Sequence, residues 1–440
     1  MKKSIFFILL SLSLFSCDKE NLATNDFNDV QELKNFSTDT LEPKWGKKVT
    51  SLPKFKNTKN VTLLSYLAFD NSKDFGRWEM FPVLNMHELA GTNAKLNQLV
   101  FADGAHNMPS RTYLIENDKS NENIKSSYVL ESSNLDSGNY LTLQNFIKKG
   151  FTDYPSKIKI LDINSHGEAY LGIAPDITSK TKITMPNLAK AIKNSVGKVN
   201  MINFDACLMS SIEVAYEFKS LSDIIIASED NTLETGMGYI KHFPEIINKS
   251  GDNLEKMAEN ILSKSETIGV TYQSVENGTA KDGLEMPKVF TISAIRTKSM
   301  DKLAYNLNQL SRMFLNKIDI YKPVIKKAFD KSHKFTINGI EESDDIGQRD
   351  AYEVFGRLEV EIRHAEEDRL IKKDNEINNY VTKVRENLRE IAIRSDIHKT
   401  EPWAEGISIN IFSKYMKNKE YQEMSFAKDN LWDELVNKIN

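Results

Sequence analysis

Short apolar segments alternating with amphipathic ones constrain this chain more than any other feature. VTLLSYLAF (61–69), KLNQLVFA (95–102), KIKILDIN (157–164), KVNMINF (198–204) and DIIIAS (223–228) are each bounded by turn residues. Runs this short and this rich in Ile, Leu and Val read as strands buried on both faces. Between them lie LTLQNFIKKGF, MPNLAKAIKNSV and SIEVAYEFKSL, whose apolar residues recur at the helical spacing of three and four. Strands alternating with helices predict an α/β fold, a mainly parallel β-sheet flanked by helices. After about Ser250 the periodicity turns mainly helical, with strand-like runs at VFTISAI (289–295) and GISINIF (406–412), so an α-rich α+β part is expected there. The highly charged stretch 359–395 reads as one or two long helices with a solvated face.

The N-terminus has a different purpose. MKKSIFFILLSLSLFSCDKE places Lys2 and Lys3 before an apolar stretch ending at Phe15, with Ser16 directly before Cys17. This is the pattern of an export signal. Leu14-Phe15-Ser16-Cys17 resembles a bacterial lipobox, which implies cleavage before Cys17 and acylation of its thiol; the alternative is a plain secretory signal that contains a cysteine. Acyl chains at ~0.8 kcal/mol per buried methylene would make such an anchor effectively permanent. No later apolar run approaches the ~20 residues of a spanning helix, so membrane contact is expected through the lipid alone. The organisation expected is a signal peptide at 1–16, a polar flexible linker at 17–60, an α/β domain at 61–250 and a helical part completing the fold at 251–440. About 40 linker residues would span roughly 35 Å as a coil.

Composition excludes one class of partner. With 27% charged residues and a net charge of −4, the chain offers no basic surface of the kind nucleic acid requires. Cys17 and Cys207 are its two cysteines. If the first is acylated, the second is a lone thiol in an exported protein and has no disulfide partner.

Two of the expected strands end in reactive residue types. KILDIN runs into Ser165-His166-Gly167, and KVNMINF runs into Asp205-Ala206-Cys207. Ligands bind beyond the carboxyl ends of parallel strands, so neighbouring strands would bring His166 and Cys207 to one rim. A free thiol with a pKa of ~8.5 needs activation, and a helix starting just after Cys207 would supply N–H groups and a positive dipole end. The competing reading is a buried packing cysteine, the commoner fate of that residue type. The Gly167 and Cys207 N–H groups form a candidate oxyanion hole, each donor being worth roughly 3 kcal/mol in a transition state. His87, His106, His242, His333, His364 and His398 are scattered, and no metal-ligand spacing occurs, which disfavours a metal-dependent hydrolase.

INSHG and NFDACLMSSIEVAYEF resemble the His-Gly and Asp-Ala-Cys blocks of the clostripain family of cysteine peptidases, in the clan that includes caspases, gingipains and legumain. The likeness extends along most of the chain: VTLLSYLAFDN is similar to the family's first core strand, LNMHELAG to the following helix, VFADG to the next strand, IIIASEDNTLETGMGY to the stretch beyond the cysteine, and GISINIF and FAKDNLW to the closing strand and helix. The resemblance implies a caspase-like fold, Cys207 as nucleophile, His166 as its proton-handling partner and Gly167 as an oxyanion donor. It also implies that Asp205 lines the S1 pocket and pairs with a P1 Arg or Lys; the alternative for Asp205 is a helix cap. Two departures stand out: Glu168-Ala169 follows where relatives often carry further glycines, and Gly236-Met237-Gly238-Tyr239 ends in Tyr rather than Trp. Some relatives cut themselves between the two catalytic strands, and here Lys180 or Lys182 is the expected position. The activity implied is a lipid-anchored cysteine endopeptidase cleaving proteins or peptides after basic residues. The rival is a catalytically silent peptidase-like binding lipoprotein. The enzyme is expected as a monomer on the outer membrane or cell surface, with no required cofactor, although some relatives use calcium.

Overall fold

The computed structural model describes residues 44–440, apart from 72–75, 105–107, 121–122, 132–134, 233–236, 266–273, 277–278, 282–290, 338–339, 342–346 and 398–402. The export signal and Cys17, and also His106, Gly236, Val289, Phe290 and His398, therefore lie outside the described residues. Among the described residues, no helix is long and apolar enough to cross a membrane.

The unalternating apolar runs form the middle of one sheet of ten strands. In chain order its strands are β1 (Trp45–Val49), β2 (Lys59–Phe69), β3 (Leu96–Gly104), β4 (Arg111–Leu114), β5 (Ile124–Leu130) and β6 (Ser156–Asn164). A hairpin of β7 (Ile173–Asp176) and β8 (Thr181–Ile183) stands outside the sheet, which resumes with β9 (Met201–Asp205), β10 (Ile224–Ser228), β11 (Thr291–Arg296) and, after β12 (Gln348–Asp350), β13 (Ala392–Ile397). The spatial order is β1-β5-β4-β3-β2-β6-β9-β10-β11-β13. The five inner strands β3, β2, β6, β9 and β10 are parallel, whereas β4, β11 and β13 join by antiparallel pairing. From β2 the chain steps outward to β3 and later returns to β6 on the other side, and this reversal opens a crevice at the carboxyl ends.

Helices cover both faces, which is why the inner strands need no polar side. On one face Leu64, Tyr66, Leu161, Ile163, Ile202, Phe204 and Ile225 pack against α1 (Tyr140–Asp153), α2 (Met185–Val196), α3 (Ile212–Glu217) and α4 (Met300–Asn316). On the other, Leu63, Ile160, Met201, Ile226 and Ile292 meet α5 (Phe243–Ser250) and α6 (Leu254–Ser265). Local signals set the helix ends: Asn139 accepts the Leu141 N–H at 3.0 Å to start α1, and Gly197 ends α2 at φ 76°. The helix expected over SIEVAYEFKSL is shorter than its pattern, for α3 stops at Glu217 and gives way to turns.

Three expectations change. The linker does not extend to residue 60: Trp45–Val49 pairs in parallel with β5, and the Trp45 ring meets Phe81 edge-on at 5.7 Å, enough apolar contact to order it. The charged stretch forms two helices as expected, Ala351–Glu367 and Asn375–Ile391, each with a solvated face beside a buried apolar stripe, but from Ala392 the chain leaves the helix and adds β13 to the sheet edge. GISINIF contributes only β14 (Ser408–Asn410), paired with β12 in a separate two-stranded sheet.

The helix spanning Gly76–Ala90 carries a buried titratable group, His87, whose pKa burial lowers to about 3. The unfolded chain takes up that proton below about 6.5 while the folded chain does not, so this residue makes stability fall as pH drops below that value. Relative to His87→Leu, the wild type should lose about 2 kcal/mol between pH 8 and pH 5. Urea unfolding of both proteins at the two pH values measures it, and parallel losses would refute the assignment.

Candidate active site

Asn164 and Asp205 face each other as the last paired residues of β6 and β9. His166 lies two residues beyond Asn164 and Cys207 two residues beyond Asp205. Equal overhangs from parallel neighbours about 4.8 Å apart deliver both to the same rim. The ladder continues past the strands, with the Ser165 N–H donating to the Asp205 carbonyl at 3.4 Å. Gly167 then presses onto the cysteine loop so closely that a Cβ there would stand 2.5 Å from the Cys207 carbonyl oxygen and 3.0 Å from the Ala206 Cβ.

Each loop is held by other parts of the fold. The histidine loop is tied to the β7–β8 hairpin by the Ala174 N–H to His166 carbonyl bond at 3.1 Å and the Glu168 N–H to Gly172 carbonyl bond at 2.9 Å. The cysteine loop hangs from the end of β10, through Leu208 N–H to the Asp230 carbonyl at 3.2 Å and Ser210 N–H to the Ser228 carbonyl at 2.8 Å. It is clamped from the C-terminal part, where Ser408 N–H donates to the Ser210 carbonyl and the Ser210 hydroxyl to the Gly406 carbonyl. Among the described residues five non-glycine residues have positive φ, and Ala169, Ala174, Lys180 and Leu208 of these flank the two loops. Backbone strain of this kind costs on the order of 1 kcal/mol per residue and collects where a site over-determines its geometry.

The helix expected directly after Cys207 begins later, at Ile212 with Ser211 as its cap, because Leu208 turns the chain at φ 65° and the next residues bind the β10 extension. The helix dipole is therefore no source of thiolate stabilisation. A backbone donor takes its place: the Thr232 N–H points at the Cys207 sulfur from 3.2 Å, with the Thr232 hydroxyl at 3.8 Å. The thiol is fully buried rather than open to a cleft, at the edge of the apolar core and bonded to this polar segment. His166 is half-buried; burial pulls its pKa down to about 4, opposed by the Glu168 carboxylate, so the imidazole is neutral at pH 7. Glu168 is itself paired with Lys182 at 2.8 Å, whereas Lys180 sits exposed at the tip of the β7–β8 hairpin.

Asp205 is not a helix cap, for Ser211 fills that role by accepting the Val214 N–H. Its buried carboxylate accepts the Met237 N–H on both oxygens, at 3.0 and 2.9 Å, and the Asn164 amide at 3.2 Å. Burial and the neighbouring Asp162 push its pKa well above the ordinary carboxylate range. Residue-type reasoning passed over Asn164, Asp162, Thr232 and Met237. Period-two spacing from His166 down β6 was the signal that could have found the first two; the others come from a distant loop.

Among the described residues no group of three or more His, Cys, Asp or Glu side chains is arranged to hold a metal ion. The fold has solved counterparts. One is a secreted C11 cysteine protease from Bacteroides thetaiotaomicron bound to an irreversible peptide inhibitor, 17% identical with a TM-score of 0.57 over 85% of this chain and 99% of that one. An inactive zymogen C11 protease from Parabacteroides distasonis is 19% identical, with a TM-score of 0.59 over 85% and 99%. These likenesses show the caspase-like fold of the C11 proteases. None of the curated proteins matches the chain. The clostripain family model matches residues 65–438, from the middle of β2 to the last helix. The chain belongs to the clostripain family of cysteine endopeptidases.

Proposed function

We propose that this peptidase cleaves after Arg or Lys, with Cys207 as nucleophile, His166 as proton carrier and Asp205 as the acid of the P1 pocket. The observation that carries this reading is the matched overhang of His166 and Cys207 from adjacent parallel strands, with Gly167 seated on the Cys207 carbonyl. A neutral His166 accepts the thiol proton, and the thiolate attacks the substrate carbonyl carbon. The Gly167 and Cys207 N–H groups stabilise the oxyanion, and imidazolium returns its proton to the leaving amine. Water, deprotonated by His166, then releases the thioester-bound acyl group and restores the thiol. A buried carboxylate with only neutral donors is complementary to a cationic P1 side chain.

Cys207 is fully buried in the state described, with the Thr232 N–H bonded to its sulfur, so substrate entry requires the surroundings of the thiol to open. Complete burial of Cys207 is also the one observation that favours a silent scaffold. Self-cleavage in the β7–β8 hairpin is part of the same proposal: Lys180 lies at an exposed turn, and a cut after Lys180 or Lys182 would leave Glu168 free to meet substrate. The N-terminal signal and Cys17, together with the secreted character of a relative of the same fold, support export with lipid anchoring at the outer membrane or cell surface.

Fluorogenic Arg and Lys peptides test the assignment. Cys207→Ala should lower kcat by about 10⁴-fold or more and His166→Ala by at least about 10²-fold. Asp205→Asn should lower kcat/KM for basic substrates by about 10²-fold. A wild-type protein that turns over no such peptide, and takes no label from a basic-P1 acyloxymethyl ketone, leaves the silent scaffold. A second measurement concerns Gly167→Ala: crowding against the Cys207 carbonyl should cost about 1–3 kcal/mol in urea unfolding as well as activity. Wild-type stability and turnover in that variant would refute the close packing of the two loops. On a gel, wild-type protein should yield two fragments and Cys207→Ala one; an active wild type that stays a single chain disposes of self-cleavage.

A further inference from the structure

Beneath Asp205 lies a second acid that the mechanism above does not use. Register pairs Asp162 with Asn203, one step below the Asn164–Asp205 pair, and strand alternation puts all four side chains on the same face of the sheet. Tyr239 and Met237 pack on that face. Asp162 is fully buried, and its Oδ1 accepts the Tyr239 hydroxyl at 3.1 Å and the Asn203 amide. Its Oδ2 is buried, with the Ser65 hydroxyl facing the carboxyl across the β2–β6 ladder.

An acid in the middle of KILDIN stands apart from its immediate neighbours, since Ile160, Leu161 and Ile163 around it are buried and aliphatic. Buried carboxyls are expensive unless paired with a cation, and none of the named partners of Asp162 or Asp205 is a lysine or arginine. The groups facing the pair are Tyr239 from the 237–242 segment, Asn203 on β9, Asn164 on β6, Ser65 on β2, the Met237 N–H and, next to Asp205, the Cys207 thiol. Diagonal neighbours on adjacent strands stand about 7 Å apart, and two carboxylates that close in a dry interior resist ionising together.

We propose that Asp162 is a second acid of the P1 pocket, which shares one proton with Asp205 in the empty enzyme and gives it up when a basic side chain arrives. The inference rests on the reading of Asp205 as the P1 acid and adds a positioning residue to it. On binding, the P1 cation takes the place of the proton, which leaves to solvent, and the pair becomes fully ionised around the new charge. Burial and mutual repulsion raise the proton affinity of both acids, Asp162 to a pKa of about 6, so basic substrates bind less well as pH falls into that region.

The test uses Asp162→Asn, which keeps an oxygen for Tyr239 and Asn203 and turns its new amide toward Ser65. Without the like charge, Asp205 ionises at lower pH, so the acid limb of kcat/KM for Arg and Lys peptides should move down by about one pH unit. A merely structural role would lower the melting temperature and leave the limb in place, and that result overturns the inference. The infrared difference spectrum of wild type minus variant at pH 7 should show one carboxylic acid carbonyl band; its absence overturns the shared proton whether or not any peptide is cleaved. Failure of wild type to cleave basic peptides, with that band present, removes the P1 assignment and leaves the shared proton. Asp162→Ser provides the same two readouts if the asparagine variant does not fold.

Discussion

The pairing of Asn164 with Asp205 across β6 and β9 is the constraint on which the rest of the site depends. Hydrogen bonds between parallel strands allow only whole-residue registers, and a slip of one residue would turn every side chain of β9 to the opposite face. Such a slip would bury Asn203 and Asp205 among the aliphatic residues that pack against α1 and α2. The hydrophobic pattern therefore holds the register, and the register fixes the relative positions of the histidine and cysteine loops.

Beyond the strands, geometry passes from sheet to irregular backbone, where long-range contacts hold it. Gly406 and Ser408, some two hundred positions downstream, bind the cysteine loop through Ser210. On the histidine side, the Asn410 amide donates to the Tyr170 hydroxyl at 2.8 Å, and Tyr421 packs edge-on against the Tyr170 ring. The C-terminal part thus adds β11 and β13 to the sheet and also braces both loops. Strained residues at Ala169, Ala174 and Leu208 are tolerated because this bracing leaves the backbone no alternative.

The acids around the site follow one electrostatic logic. Asp205, Asp162 and the Glu229–Asp350 pair are buried, and the pKa of each is raised chiefly by loss of water. Glu229 begins the segment that ends at Thr232 over the sulfur, and its carboxylate accepts the Gly406 N–H at 2.8 Å. The segment that bonds the thiol is thereby tied to the same C-terminal residue, Gly406, that braces the cysteine loop through Ser210.

The amphipathic and apolar periods, together with INSHG and DAC at strand ends, were enough to determine the α/β sandwich and the five parallel strands, and to place His166 and Cys207 beyond the ends of adjacent strands. Those are local properties: side-chain period, turn residues and the chemistry of single positions are written in adjacent letters. Weak edge strands such as Trp45–Val49 and Ala392–Ile397 were not legible, because partners far along the chain stabilise them. The late start of α3 was hidden for the same reason, since Leu208–Ser210 bond to β10 and to Ser408 instead of to the next helical turn. Only the tertiary structure decided that the thiol is buried and bonded by Thr232 and that Asp205 has Asp162 beneath it, for both depend on how distant segments share one buried volume, where desolvation and hydrogen-bond satisfaction are settled together.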